Sequence, residues 1–342
     1  MRRGTSPAPP LSDRAIETIF APLAGESAIL LAVSGGPDST ALLLMAAAWA
    51  RRRGGRPRLE AATVDHGLRA QSADEARAVA ELCNRLGVPH RILNWRGAKP
   101  KSRIQERARE ARYALLGECA DAIGADVVVT AHHLDDQAET ALLRLVRGSG
   151  IAGLRAMEAR ASRESVTIAR PLLGLAKRDL VAYCETAGVA FARDPSNDDP
   201  RYARTRLRAL AQALAEEGLD APALARLARR AAQAEDALAR QTEAAESRLH
   251  LVETAACDAR ALFAEPIEIV QRLLTAAIAK VGGRQASRVG LEKIETLAQA
   301  LQRALAAGEA FGANVAGARV RLGAKGALRV EPEPPRRAPA RR

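Results

Sequence analysis

The sequence predicts an α/β fold: a doubly wound, mostly parallel sheet followed by a second, mostly helical C-terminal domain. Two observations carry this. Through the first half of the 342 residues, apolar strand-like runs alternate with amphipathic helix-like runs, the pattern of a parallel sheet covered on both faces. After Arg170 the alternation stops and long Ala/Arg/Glu-rich stretches replace it.

The elements follow in order. Ser27–Val33, apolar from Ala28 onward, reads as a buried strand; Ser39–Ala50 reads as a helix. Leu59–Asp65 is the next strand. Ser72 and Glu75 form a capping-box pattern that opens a helix to about Leu86. His90–Trp95 is a third strand, and Ser102 with Gln105 opens a helix to about Ile123. Asp126–Thr130 is a fourth strand and His132–Val146 a helix. In the second half, Ala176–Ala187, Arg201–Glu216, Ala221–Leu249, Ile267–Ala279 and Leu291–Ala306 read as helices, Asp194–Pro200 as a loop and Ala318–Val330 as a small hairpin. A boundary near residue 217 divides the chain into domains at 20–216 and 217–330, with a Pro/Arg tail at 331–342 expected to be disordered.

Composition excludes several classes. With 48% hydrophobic and 27% charged residues the chain is globular. The four cysteines, Cys83, Cys119, Cys184 and Cys257, form no CxxC pair, which argues against a zinc ribbon or a thioredoxin-type site. The longest fully apolar run, Ala41 to Ala50, is half of a membrane span. Arg2 and Arg3 precede polar, Pro-rich sequence and no apolar signal core, so a soluble cytoplasmic protein with no membrane partner is expected. Lys and Arg outnumber Asp and Glu by 52 to 40, a balance of +12 that favours a polyanionic partner.

Ligands of open α/β sheets sit beyond the carboxyl ends of the strands, which singles out Asp65–Arg69, Arg96–Arg112, Ala131–Glu139 and, most informative, Ser34-Gly35-Gly36-Pro37-Asp38-Ser39. This last segment leaves a buried strand and enters a helix. Its glycines let backbone N–H groups approach an anion, and the helix N-terminus and the Ser34 and Ser39 hydroxyls add donors. Asp38 is out of place in a plain anion cup and makes sense as a ligand of Mg²⁺ beside phosphates. Seen without its context, the same turn is a glycine turn with Ser/Asp caps. A Walker-type GxxxxGK[ST] is absent. Gly148–Gly153 matches GxGxxG but follows a helical pattern, so it reads as a loop.

His132, Asp136 and Glu139 are spaced i, i+4 and i+7 and share one face of a regular helix, with Asp135 off that stripe. Two carboxylates at the ligand edge suit an ammonium group. Arg109 and Arg112 share another helix face, positioned to cradle phosphates or to counter the charge of a leaving diphosphate. Arg204, Arg206 and Arg208 crowd one helix start, which argues for a polyanion contact. Aromatic residues are only 3%, too few for base-stacking platforms.

SGGPDS after the first strand resembles the loop of the N-type ATP pyrophosphatases, the PP-loop enzymes that cleave ATP to AMP and pyrophosphate while adenylating a substrate. Further segments are similar to blocks of the tRNA(Ile)-lysidine synthetases: Val64-Asp65-His66-Gly67-Leu68-Arg69 with Ser72 and Glu75, Ile104 through Tyr113, Thr130 through Thr140, Arg170-Pro171-Leu172-Leu173 and Asp194-Pro195-Ser196-Asn197. The likeness covers residues 26–210 in order. It implies a PP-loop ATP pyrophosphatase catalytic domain over 20–216 and a tRNA-contacting domain over 217–330, with ATP and Mg²⁺, L-lysine, and the tRNA(Ile) with a CAU anticodon as cofactors and partners; a homodimer is left open.

The implied reaction adenylates the wobble cytidine and then joins the lysine ε-amine to its C2, releasing AMP and pyrophosphate and switching decoding from Met to Ile. By the same resemblance Asp136 and Glu139 recognise lysine. Asp38, Asp136, Glu139 and His132 are the expected catalytic set; Ser34–Ser39 and Arg112 are expected to bind ATP, with Asp38 on the metal. The residue that deprotonates the amine is left open. A tRNA thiolation enzyme, an amidotransferase-type ligase and a non-catalytic tRNA binder are the alternatives.

Overall fold

A computed structural model of the chain describes residues 11–67, 72–95, 104–163, 166–192, 203–283 and 289–334, without the side chains at 105, 203–206, 208 and 209. The Asp194–Pro200 loop, Ser102, residues 335–342 of the tail and the side chains of Gln105, Arg204, Arg206 and Arg208 therefore lie outside the described residues. The chain divides into two compact units, residues 1–149 with 153–229, and residues 150–152 with 230–342.

Through residue 220 the order is α1 (Asp13–Phe20), β1 (Ala28–Ala32), α2 (Pro37–Arg52), β2 (Arg58–Asp65), α3 (Ser72–Leu86), β3 (His90–Asn94), α4 (Ile104–Ile123), β4 (Val127–Val129), α5 (Leu134–Val146), α6 (Ile151–Leu154), β5 (Arg160–Arg163), β6 (Val166–Ala169), α7 (Lys177–Thr186) and α8 (Ala203–Glu216). The six strands are ordered β3-β2-β1-β4-β6-β5. All neighbours are parallel except the β5–β6 hairpin at one edge.

The central strands β1 and β4 are continuous apolar runs because both faces are covered. Ile29, Leu31, Ala61, Val127 and Val129 enter one core with α1, α2 and α7, where Phe20 stacks on Trp49 at 5.3 Å. Their alternates Leu30, Ala62 and Val128 enter a second core beneath α4 with Tyr113 and Leu116. The chain winds outward from β1 through β2 to β3, then returns so that β4 pairs with the free side of β1. That reversal opens a crevice at the carboxyl ends of β1 and β4, the place where such sheets bind ligands. The β5–β6 hairpin has no counterpart in the sequence reading: each strand is four residues long, too short for a period to show.

The second unit is built on α9 (Ala221–Leu249), α10 (Leu251–Thr254), β7 (Ala256–Asp258), α11 (Ala259–Phe263), α12 (Ile267–Gly282), α13 (Leu291–Ala307), β8 (Phe311–Val315), β9 (Ala318–Leu322) and β10 (Ala327–Pro332). The hairpin expected over 318–330 is the centre of a four-stranded antiparallel sheet, β7-β10-β9-β8. One face of that sheet packs on α12 and α13 through Val320, Leu322, Leu328 and Val330. Arg272 of α12 meets Glu235 of α9 at 2.7 and 2.8 Å and Glu268 at 2.8 Å. The division between units falls at Arg229, inside α9, where the sequence reading put it near 217. The break at Gly218 separates two helices, but the first turns of α9 still belong to the first unit: Ala228 packs with Ala141 and Ala156. No helix among the described residues is long and apolar enough to cross a membrane.

The Phe20–Trp49 contact is fully buried, so Phe20→Ala is expected to cost about 3–5 kcal/mol. Urea unfolding followed by Trp49 fluorescence checks it; a loss under about 1 kcal/mol would contradict this account of the core.

Candidate active site

The loop after β1 is shaped by one glycine. Gly35 has φ +85°, and a Cβ there would lie 3.3 Å from Val79 Cγ2, so a side chain would be strained and crowded at once. Gly36 is the N-cap of α2 and Pro37 its first residue, which leaves the free N–H groups of the first turn pointing out of the loop. The Ser39 hydroxyl locks the turn: it accepts from the Ser34 N–H and donates to the Gly36 carbonyl, both at 3.1 Å. The Ser34 hydroxyl lies 3.1 Å from the Ser39 hydroxyl. From behind, the Ala192 N–H donates to the Gly35 carbonyl at 2.9 Å and the Cys184 thiol to the Pro37 carbonyl at 3.4 Å. The result is a fixed cup of backbone donors at the positive end of a 16-residue helix.

Asp38, in the first turn of α2, faces the start of α5. His133 is the N-cap of α5, and its N–H donates to Asp136 Oδ2 at 3.1 Å. The residue is 3% exposed, and its imidazole lies among three carboxylates. Nε2 is 3.5 Å from Asp38 Oδ2 and 3.4 Å from Asp136 Oδ2, and Nδ1 is 3.5 Å from Asp135 Oδ2. Burial alone would strip the imidazole of its proton, but the attraction of Asp135, Asp38 and Asp136 outweighs it and raises the pKa to about 9. In return His133 holds the Asp135 carboxyl below the usual carboxylate range, helped by the Lys177 N–H, which donates to Asp135 Oδ2 at 2.8 Å. Lys177, the first residue of α7, brings its Nζ to 3.9 Å from Asp38 Oδ2. The other oxygen of Asp38, Oδ1, is buried with no hydrogen-bond partner.

The structure thus joins Asp38 and Asp136 through one imidazole nitrogen, across the crevice between β1 and β4. Glu139, one turn beyond Asp136, is buried at 9% exposure. His132 differs from expectation. The helix starts at Leu134, so His132 lies before its N-cap and off the Asp136–Glu139 stripe, and its Nδ1 shares a 2.8 Å hydrogen bond with the Thr130 hydroxyl. Arg112 reaches the same sheet rim, where its Nε and Nη2 donate to His66 Nε2 at 3.4 and 3.2 Å. Desolvation at the rim, reinforced by Arg109, lowers its pKa, while the residue as a whole stays exposed to solvent. Asp65 at the end of β2 accepts from the Gly67 N–H at 2.8 Å and the Ser72 hydroxyl at 2.7 Å, which ties that loop to α3.

Three members were not among the sequence candidates: His133, Asp135 and Lys177. The spacing of His133 and Asp136, N-cap to N3, carried the signal for the first, because that pair marks where α5 begins. Lys177 arrives from a distant segment after β6 and has no local signature.

A glycine cup after β1, an aspartate in the first turn of α2 and a parallel sheet reversing at β1–β4 define a PP-loop domain, and residues 10–214 match the family model of that description, ATP_bind_3. The chain is 48% identical to the tRNA(Ile)-lysidine synthase of Bradyrhizobium sp. strain BTAi1, over 96% of each chain. It is 46% identical to that of Rhodopseudomonas palustris, over 93% of this chain and 94% of the relative. Among solved structures, the U34-tRNA thiolase NcsA from Methanococcus maripaludis with its [4Fe-4S] cluster shares the fold, with a TM-score of 0.53, 16% identity, and 64% of this chain and 77% of that one covered. The chain belongs to the tRNA(Ile)-lysidine synthase family.

The raised His133 pKa makes the ligand-free protein pH-dependent. Protonation is favoured in the folded state, so its contribution is fully present below about pH 6.5 and is lost as pH rises through about 9. The stability gap between the wild type and His133→Gln should shrink from roughly 3 kcal/mol at pH 6 to well under 1 kcal/mol at pH 9.5. Denaturant titrations at the two pH values measure it, and a pH-independent gap would contradict the imidazolium.

Proposed function

We propose that this chain joins L-lysine to C2 of the wobble cytidine of the CAU-anticodon tRNA(Ile) at the expense of ATP, releasing AMP and pyrophosphate through an adenylated tRNA. The observation that carries the reading is the pairing of Asp38, beside the phosphate cup, with Asp136 on one buried histidine, in a chain of this family.

The parts fit the reaction in order. The N–H groups of the Ser34–Ser39 loop suit the phosphates of ATP, and Arg112 adds a positive charge at the same rim. The cytidine C2 oxygen attacks the α-phosphate and pyrophosphate departs; positioning and charge neutralisation are the tasks of the protein there. The buried, partnerless Asp38 Oδ1 fits a cation. Among the described residues no three His, Cys, Asp or Glu side chains form a metal cage. The fit is therefore to an ion such as Mg²⁺, which takes one or two carboxylates and completes its shell with phosphate oxygens and water. Asp38 would hold it, and it would supply neutralisation of phosphate charge.

In the second step the lysine amine attacks C2 and AMP leaves. Asp136 and Glu139 supply carboxylates for the ammonium group of lysine. At an unperturbed pKa of about 10.4 that amine must lose a proton before attack. His133, already protonated at neutral pH, is not the acceptor, and His132 takes this role in the proposal. A cytoplasmic location follows from the tRNA substrate. Sulfur transfer finds less support: Cys83 and Cys184 lie in the core on one face of the sheet, Cys119 in the core on the other, and Cys257 in the second unit.

Incubation with labelled lysine, ATP and transcribed tRNA tests the reading: label in the RNA with lysine-dependent AMP release supports it, and ATP consumption without labelled RNA overturns it. Asp38→Asn should lower pyrophosphate release by about 10²–10³-fold with tRNA affinity intact. Glu139→Gln should instead raise the KM for lysine by about tenfold or more, since it removes an ionised partner of the ammonium.

A further inference from the structure

Lys177 is held beside the reaction centre by its backbone, while its ammonium group is almost unused. Three contacts fix the start of α7. The Lys177 N–H donates to Asp135 Oδ2 at 2.8 Å, the Leu134 N–H to the Leu175 carbonyl at 2.8 Å, and the Ala176 N–H to Asp179 Oδ2 at 3.3 Å. From that fixed point the side chain reaches the first turn of α2, where Nζ comes to 3.9 Å from Asp38 Oδ2. This is a long ion pair, and among the described residues Nζ makes no hydrogen bond. The side chain keeps 42% of its surface open to solvent.

The position is a poor one for a lysine that only supports the fold. A cation in the first turn of a helix opposes the helix dipole, and Lys177 is the first residue of α7. Asp38 has another counter-charge, because His133 Nε2 already lies 3.5 Å from the same Oδ2. A half-exposed ion pair of this length adds little stability. What the place does offer is nearness to the glycine cup. Asp38 is the second residue of α2, so its own N–H is one of the donors left free at that helix start. A carboxylate at the mouth of an anion site repels phosphate. An ammonium on a flexible stem, with its three donors open, reverses that charge.

The geometry points to Lys177 as a catalytic residue of the first step, one that leaves Asp38 and donates to the diphosphate of ATP as it departs. The inference rests on the reaction proposed above and adds a residue to it. The bond from the cytidine C2 oxygen to the α-phosphorus forms while the bond from that phosphorus to the bridging oxygen breaks, and the electron pair of the broken bond leaves with the diphosphate. Lys177 keeps its proton and neutralises the charge that collects there.

Two measurements on the full chain test this, with Lys177→Gln and Lys177→Arg. The first is the Kd of inorganic pyrophosphate by titration calorimetry in EDTA, which needs neither metal nor turnover. The second is single-turnover pyrophosphate release from ATP with transcribed tRNA(Ile) and Mg²⁺. Lys177→Gln is expected to weaken pyrophosphate binding about tenfold and to slow release by about 10²-fold, with melting temperature and tRNA affinity unchanged. Lys177→Arg keeps the charge and should recover most of the binding. Wild-type Kd and release rate in Lys177→Gln would overturn the inference, as would a wild type that binds no pyrophosphate. So would equal losses in both variants together with a lower melting temperature, because the lysine would then be structural. A wild type that binds pyrophosphate through Lys177 but releases none from ATP with this tRNA would overturn the proposed reaction while still supporting the diphosphate contact.

Discussion

The site depends on one buried imidazolium. His133 is enclosed by protein and held within 3.5 Å of three carboxylates that belong to two helices, α2 and α5. Without it, Asp38, Asp135 and Asp136 would repel one another across the crevice, and a buried carboxylate lacking a counter-charge is costly. With it, the glycine cup after β1 and the acidic start of α5 are parts of one electrostatic unit. Lys177 adds a second cation from α7, and its backbone N–H fixes the same Asp135. The arrangement is pre-formed, so little reorganisation is needed where charge develops.

The sheet makes this possible. Because β4 returns to the free side of β1, the loops after these two strands are neighbours although about a hundred residues separate them. Both strands are fully apolar and buried on both faces, which fixes their height relative to each other. The carboxylate of Asp126 reinforces this from the opposite edge, accepting from the N–H groups of Ser27 and Ala28 at 2.6 and 3.0 Å. Gly35 then turns the chain into α2 with a backbone angle that other residues reach only under strain. The conformation of one loop and the order of six strands are thus linked to the chemistry through geometry alone.

Much of this was legible in the residues. The runs at Ser27–Val33 and Leu59–Asp65 declare buried strands, and α9 occupies the expected 221–249 because its Ala-rich stretch is long enough for propensity to dominate. SGGPDS and the Asp136–Glu139 pair stood out because glycines and carboxylates at the ligand edge are hard to explain otherwise. What escaped was tertiary. A helix starting two residues later than its pattern suggests removes His132 from the acidic stripe and turns His133 into the centre of the cluster. Strands β5 to β8 hold three to five residues each, and they exist because neighbours supply their hydrogen bonds. The arginines of β9 and β10 look unremarkable along the chain and meet only once the strands pair.

The burial of the thiols has a practical side. Burial pushes Cys83 and Cys257 up to about 11 and Cys184 up to about 12, and raises Cys119 as well. Nucleophilic thiolate is therefore scarce at neutral pH at every native cysteine. A single cysteine placed on an exposed strand position, for instance at Gly312, would react with maleimide dyes faster than the three buried native thiols, with half-buried Cys257 the one to replace first.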